Sequence, residues 1–440
     1  MNVLLDVDIT DGPVVVLVYL LAAASFVTLV ARRPSARWRR RPWLATAAIS
    51  ALLGGMIGWG LTWLLSDRLD LFDADLTPVV RGWVIACSGA LGVALASLWR
   101  PTWPRAISSA AAAALFVGTA AMGVNIDFGQ YPTIGSALGI TSIDEGLPPL
   151  ATAGEDAPSI ASWQEPEGMP ERGRLASVEI PATASGFVAR PAVVYLPPAA
   201  LVRHPPRLPV LIVMSGQPGS PSDPLLTDHL RDHLDAYAAA HRGLAPIVVS
   251  PDQLGSPGTN PLCIDSARAG NSATYLTVDV PRWIRAHLPV TLAAGSWGVG
   301  GLSQGGTCAS QLGAEHPELF DAILDASGQL HPSLGPDEKT IAEGFGGDAG
   351  AFAAAAPSAI MAAHAPYADT IAVFGVGAQD NRFRPGIRTL VSDARAAGME
   401  THYIEVPDTA HDSHAWSAIL SRGLVLIADH WGFDHQGLDR

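Results

Sequence analysis

Four long apolar segments fill most of the first 126 residues, and they constrain the chain more than any other feature. Pro13–Ala31 runs 19 residues without a charge, Trp43–Leu65 runs 23 and Ala106–Ile126 runs 21. Val79–Leu98 holds one charge, Arg81, near enough to its start to snorkel to the headgroups. About 20 helical residues cross the hydrocarbon core of a bilayer, so each segment is expected to span it. Their lengths and charged flanks speak against the alternative, four buried helices of a soluble core.

The connectors predict an orientation. RRPSARWRRR, after the first segment, carries six arginines, and RPTWPR, after the third, carries Arg100 and Arg105. The second connector, SDRLDLFDADLTP, is mainly acidic, and the leader MNVLLDVDIT has no basic residue. Basic loops stay in the cytoplasm, so both termini and everything after Ile126 are expected outside it. A leader without a basic region, followed by an apolar run ending in arginines, does not read as a cleaved signal peptide.

Charge divides the chain at the same place. Residues 1–126 hold ten arginines and seven acidic residues, a net of +3; the whole chain carries −14, so residues 127–440 carry −17. An acidic globular part excludes a nucleic-acid partner, which requires a basic patch. Cys87 falls inside a span, leaving Cys263 and Cys308 in the outer part. In an oxidising compartment that pair is expected to form a disulfide; two unpaired buried thiols are the alternative.

Residues 127–170 are rich in Gly, Pro and Ser and show no period, so they read as a linker or stalk between a transmembrane domain (1–126) and a globular domain (171–440). Beyond them short apolar runs alternate with helical stretches. Leu175–Pro181 and Phe187–Tyr195 read as a hairpin. Pro209–Met214, Pro246–Val249, Trp297–Leu302, Ala322–Leu324, Ile371–Val376 and Thr401–Val406 read as buried strands. Helices are expected over Thr227–Ala240, Ala273–His287, Thr307–Glu315, Arg388–Ala397 and Ser413–Ala428. Such alternation predicts an α/β fold, a mainly parallel, doubly wound sheet.

Within it, VGGLSQGG (299–306) contains Gly301-x-Ser303-x-Gly305 between a strand and a helix. That context, more than the pattern, makes Ser303 a candidate nucleophile on a strained elbow, with the Gln304 N–H as an oxyanion donor. A second donor belongs in the loop after the first parallel strand, MSGQPGSPSD, where Gly216 and Gln217 both qualify and Pro218 has no N–H. The acid should follow the serine in the chain and the histidine should come last. Asp380, in the loop after Ile371–Val376, has the right position; Asp325, Asp393 and Asp408 are competitors. The last strand runs into PDTAHDSHAW, which offers His411 and His414 as the general base, with Asp412 or Ser413 as the helix cap between them.

These pieces resemble the esterase branch of the α/β-hydrolases that includes esterase D and the secreted mycolyltransferases, over about Leu175 to Trp431. The resemblance rests on GLSQGG at 301–306, EHPELF at 315–320, the GAQD turn and the run AAGMETHYIEVPDTAHDSHAW. In that family a tryptophan typically follows the catalytic histidine by five residues, then an aliphatic helix face. Counting from His411 gives Trp416 and Leu420; counting from His414 gives neither. Ser413 stands where relatives carry an aromatic residue, and Gln304 where they commonly carry methionine. Four spans before such a domain resemble membrane-tethered esterases of actinobacterial type.

Other candidates are set aside. Asp228-His229 and Asp232-His233 have metal-compatible helical spacing, but no third ligand is signalled nearby. GFGGDAG (344–350) follows no strand and reads as a flexible flap, not a phosphate cradle. The expectation is a membrane-anchored serine esterase with no metal or cofactor, acting on a lipid or envelope ester. Acyl transfer through the same residues, or an inactive envelope scaffold, are the rival readings.

Overall fold

The computed structural model describes all residues except 1–3, 6, 34, 36–37, 71–74, 100, 139, 141–142, 152–153, 155–156, 294 and 434–440. Arg37 and Arg100, and the 71–74 part of the acidic connector, therefore lie outside the described residues. The chain forms two compact units, Met1–Thr141 and Ser142–Arg440.

In the first unit the four apolar segments form helices α1 (Pro13–Ala31), α2 (Arg40–Thr62), α3 (Pro78–Ser97) and α4 (Trp103–Phe128), with α2 continuing through a π-turn to Arg68. All four are long and apolar enough to cross a membrane. Small residues let α2 and α3 touch: a Cβ on Gly54 would lie 2.2 Å from the Ser88 carbonyl, and one on Gly92 2.2 Å from that of Ser50. Arg81 is engaged in a two-pronged ion pair with Asp67. Arg105 is buried and donates to the Leu29 carbonyl and the Ser97 hydroxyl, closing the C-terminus of α1. The leader and the segment following α4 pair with each other: Asp8 bridges Thr133 antiparallel, and Ile134 N–H donates to the Val7 carbonyl.

Among the described residues, the second unit is built on a nine-stranded sheet. Its strands are β1 (Asp144–Glu145), β2 (Arg174–Val178), β3 (Ala192–Leu196), β4 (Val210–Met214) and β5 (Ile247–Ser250). After a small ribbon of β6 (Asp265–Ser266) and β7 (Gly270–Asn271) come β8 (Trp297–Leu302), β9 (Ala322–Ala326), β10 (Ile371–Gly377) and β11 (Glu400–Val406). The order is β1-β2-β3-β5-β4-β8-β9-β10-β11. Only the β2–β3 and β3–β5 pairs in it are antiparallel. Register places Met214 opposite Gly301, Leu302 opposite Ala326, and Gly377 opposite Val406, so the parallel strands end together along one edge.

Both faces are covered, and β10 displays the two-residue period directly. Ile371 and Val373 join the core beneath helices Leu230–Ala240 and Ser413–His430. Ala372, Phe374 and Val376 join the one beneath Pro357–His364 and Arg384–Ala396.

The stalk expected over 127–170 is different in the structure. α4 runs to Phe128, β1 pairs in parallel with β2, and Arg174 binds the Asp144 carboxylate at 2.6 Å. Trp163 is buried against the second unit's core, and its indole N–H donates to the Arg242 carbonyl at 3.0 Å. Most of the proline-rich stretch is therefore part of the second unit. GFGGDAG links two short helices, Asp337–Gly344 and Ala349–Ala354; Asp348 caps the second.

Candidate active site

Ser303 stands between β8 and helix Gln304–Glu315 with φ 53° and ψ −113°, a conformation an L-residue adopts only where its surroundings force it. The glycines around it explain how. A Cβ on Gly301 would sit 2.1 Å from the Gly305 carbonyl oxygen, and one on Gly305 would sit 2.5 Å from that of Ser215. Gly-x-Ser-x-Gly is thus a packing requirement of this turn. The helix begins at Gln304, three residues before the Thr307 start expected from the sequence, so the Gln304 N–H is one of its free N-terminal donors.

The loops after β10 and β11 meet beside the serine. A side chain on Gly377 would collide with the Ala410 carbonyl oxygen at 2.2 Å, so the two loops approach closely only because that residue is glycine. Gln379 N–H then donates to the Thr409 carbonyl and Ala378 N–H to that of Val406. Asp412 caps the last helix through the Ala415 N–H, and its other oxygen accepts from the Ala410 N–H. His411 is held between these bonds.

The result is a continuous line of side chains. His411 Nε2 lies 2.9 Å from Ser303 Oγ, and His411 Nδ1 lies 2.8 Å from Asp380 Oδ2. Asp380 is 4% exposed, and its other oxygen accepts the Phe383 N–H at 3.2 Å. With Nδ1–H donating to the carboxylate, Nε2 is free to accept the serine proton. The Phe383 ring stacks on the imidazole at 4.1 Å, and Trp416 meets it edge-on at 5.2 Å.

The competitors are elsewhere. Asp325 is buried, accepting the Ser310 hydroxyl at 2.6 Å and the Gly328 N–H at 2.7 Å; burial pushes its carboxyl up to about 6. Asp408 is exposed and Asp393 is half-buried within helix Arg384–Ala396. His414 is exposed on the first turn of the last helix. His229 and His233 face different partners, Asp232 and Ser417.

Gly216 is close to Ser303, since a Cβ there would lie 3.6 Å from the Ser303 Cβ; the Gln217 side chain turns away to the Gly258 carbonyl. Cys263 and Cys308 are bonded, joining the loop after β5 to helix Gln304–Glu315. The Gln304 amide lies 3.2 Å from the Cys308 sulfur and donates to Asn260 Oδ1 at 3.0 Å. Sequence reasoning did not single out Phe383 or the side-chain amides of Gln253 and Asn260. Nothing in the spacing of these residues marks them.

A mainly parallel sheet in this order, with a serine elbow and histidine and aspartate loops at its carboxyl edge, defines an α/β-hydrolase of the esterase kind. The chain belongs to the Esterase family, described as "Putative esterase", whose model matches residues 189–426. It is accordingly an enzyme of ester hydrolysis. An uncharacterized protein of Corynebacterium glutamicum is 31% identical over 442 residues, covering 97% of each chain. An S-formylglutathione hydrolase from Agrobacterium tumefaciens is 18% identical with a TM-score of 0.49, covering 60% of this chain and 97% of that one. MPT51 of Mycobacterium tuberculosis is 17% identical with a TM-score of 0.41, covering 57% and 98%.

Proposed function

We propose that the chain is a membrane-anchored serine esterase working outside the cytoplasm on an ester of a lipid or envelope component. The observation that carries the catalytic part is the unbroken line from Asp380 through His411 to Ser303. Ser303 Oγ attacks the ester carbonyl and its proton passes to His411 Nε2. Asp380 keeps the imidazole in the required tautomer and stabilises the imidazolium. The oxyanion accepts the N–H of Gln304 and that of Gly216 or Gln217. His411 then delivers its proton to the leaving alcohol, and water, activated by the same base, releases the acid.

Membrane anchoring is supported by the four apolar helices, and the outward orientation by the arginine-rich connectors. The Cys263–Cys308 bond suits an oxidising compartment. An enzyme held at a membrane meets lipid and envelope esters first, and this favours them as substrates.

A fluorophosphonate probe tests the site: it should label the wild type at Ser303 and leave Ser303→Ala unlabelled. Failure of the wild type to label at Ser303 would remove the reading. Product analysis with and without an acceptor alcohol separates hydrolysis from acyl transfer. Lipid profiling of a Ser303→Ala strain should reveal the accumulating ester.

A further inference from the structure

We infer that Gln253 is a positioning residue that sets the oxyanion donors on both sides of the site, the Gln304 N–H and the loop that carries Gly216 and Gln217. The inference rests on the proposed roles of Ser303 and Gln304.

Gln253 lies three residues beyond β5, at the sheet edge where Ser303 emerges, and is fully buried. Its amide nitrogen donates to the Ser215 carbonyl at 2.6 Å and to Gln304 Oε1 at 3.1 Å. The first bond is the informative one. The Ser215 carbonyl and the Gly216 N–H belong to one peptide unit, which is planar and trans, so holding the C=O fixes where the N–H points. Drawing electron density toward that carbonyl also strengthens the N–H opposite it as a donor. This unit is packed against the elbow, because the Ser215 oxygen is what a Cβ on Gly305 would strike.

The second bond reaches the other donor. Gln304 contributes its backbone N–H to the site, and its side chain is pinned by Gln253 on one side and Asn260 on the other. One amide thus connects the two segments that must converge on a single oxygen. The preceding residue grips the far end of the same loop. Asp252 binds Arg190 through both oxygens, and Arg190 donates to the Gly219 carbonyl at 3.0 Å. The loop from Ser215 to Gly219 is therefore held at both ends by consecutive residues.

The amide's other half is idle. Gln253 Oε1 is buried with no hydrogen-bond partner among the described residues. An unpaired buried acceptor costs stability, so the residue is poorly explained as packing and well explained by what its nitrogen holds.

The test uses the full-length protein and a p-nitrophenyl ester. Gln253→Met keeps length and burial but cannot donate. It should lower kcat about 10- to 100-fold with KM changed less than about threefold, since oxyanion contacts form in the transition state. Affinity for a trifluoromethyl ketone, whose adduct places an oxyanion in the hole, should fall by the same factor. Gln304→Met keeps the backbone N–H while removing the acceptor, and should lower kcat in the same direction. The double variant should then be no worse than Gln253→Met alone, because the two side chains share one bond. Unchanged kcat in Gln253→Met, unchanged inhibitor affinity, or additive losses in the double variant would each overturn the inference. Ser303→Ala run alongside separates the two claims: if it retained turnover, the proposed site itself would be wrong, whatever Gln253 does.

Discussion

Removing the Cys263–Cys308 bond by the double substitution Cys263→Ala/Cys308→Ala should cost both stability and activity. The bond closes a loop with a sequence separation of 45. Loop-closure entropy for that length corresponds to about 4 kcal/mol at 25 °C. Part of this is offset. Leu262 and Cys263 are consecutive non-glycine residues at φ 62° and 51°, and releasing that conformation returns roughly 1–2 kcal/mol. The net loss is then about 2–3 kcal/mol. For a unit spanning Ser142–Arg440 it corresponds to a fall in melting temperature of roughly 3–5 °C. The assay is thermal unfolding of the full-length protein in detergent, oxidised and after reduction, with thiol titration to establish the state of the pair. Because Cys308 lies on the helix that follows Ser303, against the Gln304 amide, kcat should fall with it. A fully reduced protein with the melting temperature and kcat of the oxidised one would refute the reasoning.

Three further outcomes follow from the geometry. His411→Ala should lower kcat about 10⁴-fold or more with the fold intact by circular dichroism, whereas His414→Ala, exposed on the next turn, should stay within about threefold; the reverse ranking would reassign the base. Asp325, with its carboxyl pushed up to about 6 from an ordinary 3.8, holds a proton in the native state that the unfolded chain has lost between those pH values. Its contribution to stability therefore falls as pH rises through that window, and Asp325→Asn should be more stable at pH 8, by at most about 3 kcal/mol, but not below pH 4; equal urea midpoints for the two proteins at pH 8 would count against this. Gly305→Ala places a methyl within 2.6 Å of the backbone oxygens of Ser215 and Met214 and should lose roughly 3 kcal/mol and nearly all activity, while Gly258→Ala, with open space at its Cβ, should match wild type in melting temperature and turnover.

Much of this architecture was legible because it depends on long or periodic patterns. The four helices lie within three residues of their apolar runs, since hydrocarbon thickness sets a length that composition records directly. β8, β10 and β11 were found as short apolar runs between turns. Features set by contact between distant segments were not legible. β1 is two exposed residues that pair only because β2 offers a free edge. Trp163 sits in a stretch without sequence period, and what ties it to the second unit is the bond from its indole to the distant Arg242 carbonyl. The helix after Ser303 starts at Gln304 despite two glycines of poor helix propensity, because Gly305 and Gly306 lie where neighbouring strands leave no room for a side chain. In the site, chain order and loop position pointed to Ser303, Asp380 and His411, whereas the stacking of Phe383 on the imidazole has no sequence periodicity to reveal it.

The pairing of Asp8 with Thr133 sets a parity rule for the chain. One partner precedes α1 and the other follows α4, so a polypeptide that threads the bilayer between them must do so an even number of times, or the bridge cannot form. The rule is independent of arginine counts. An insertion reporter placed before α1 and one placed just after α4 should therefore always give the same signal, and reversing the connector charges should invert both together.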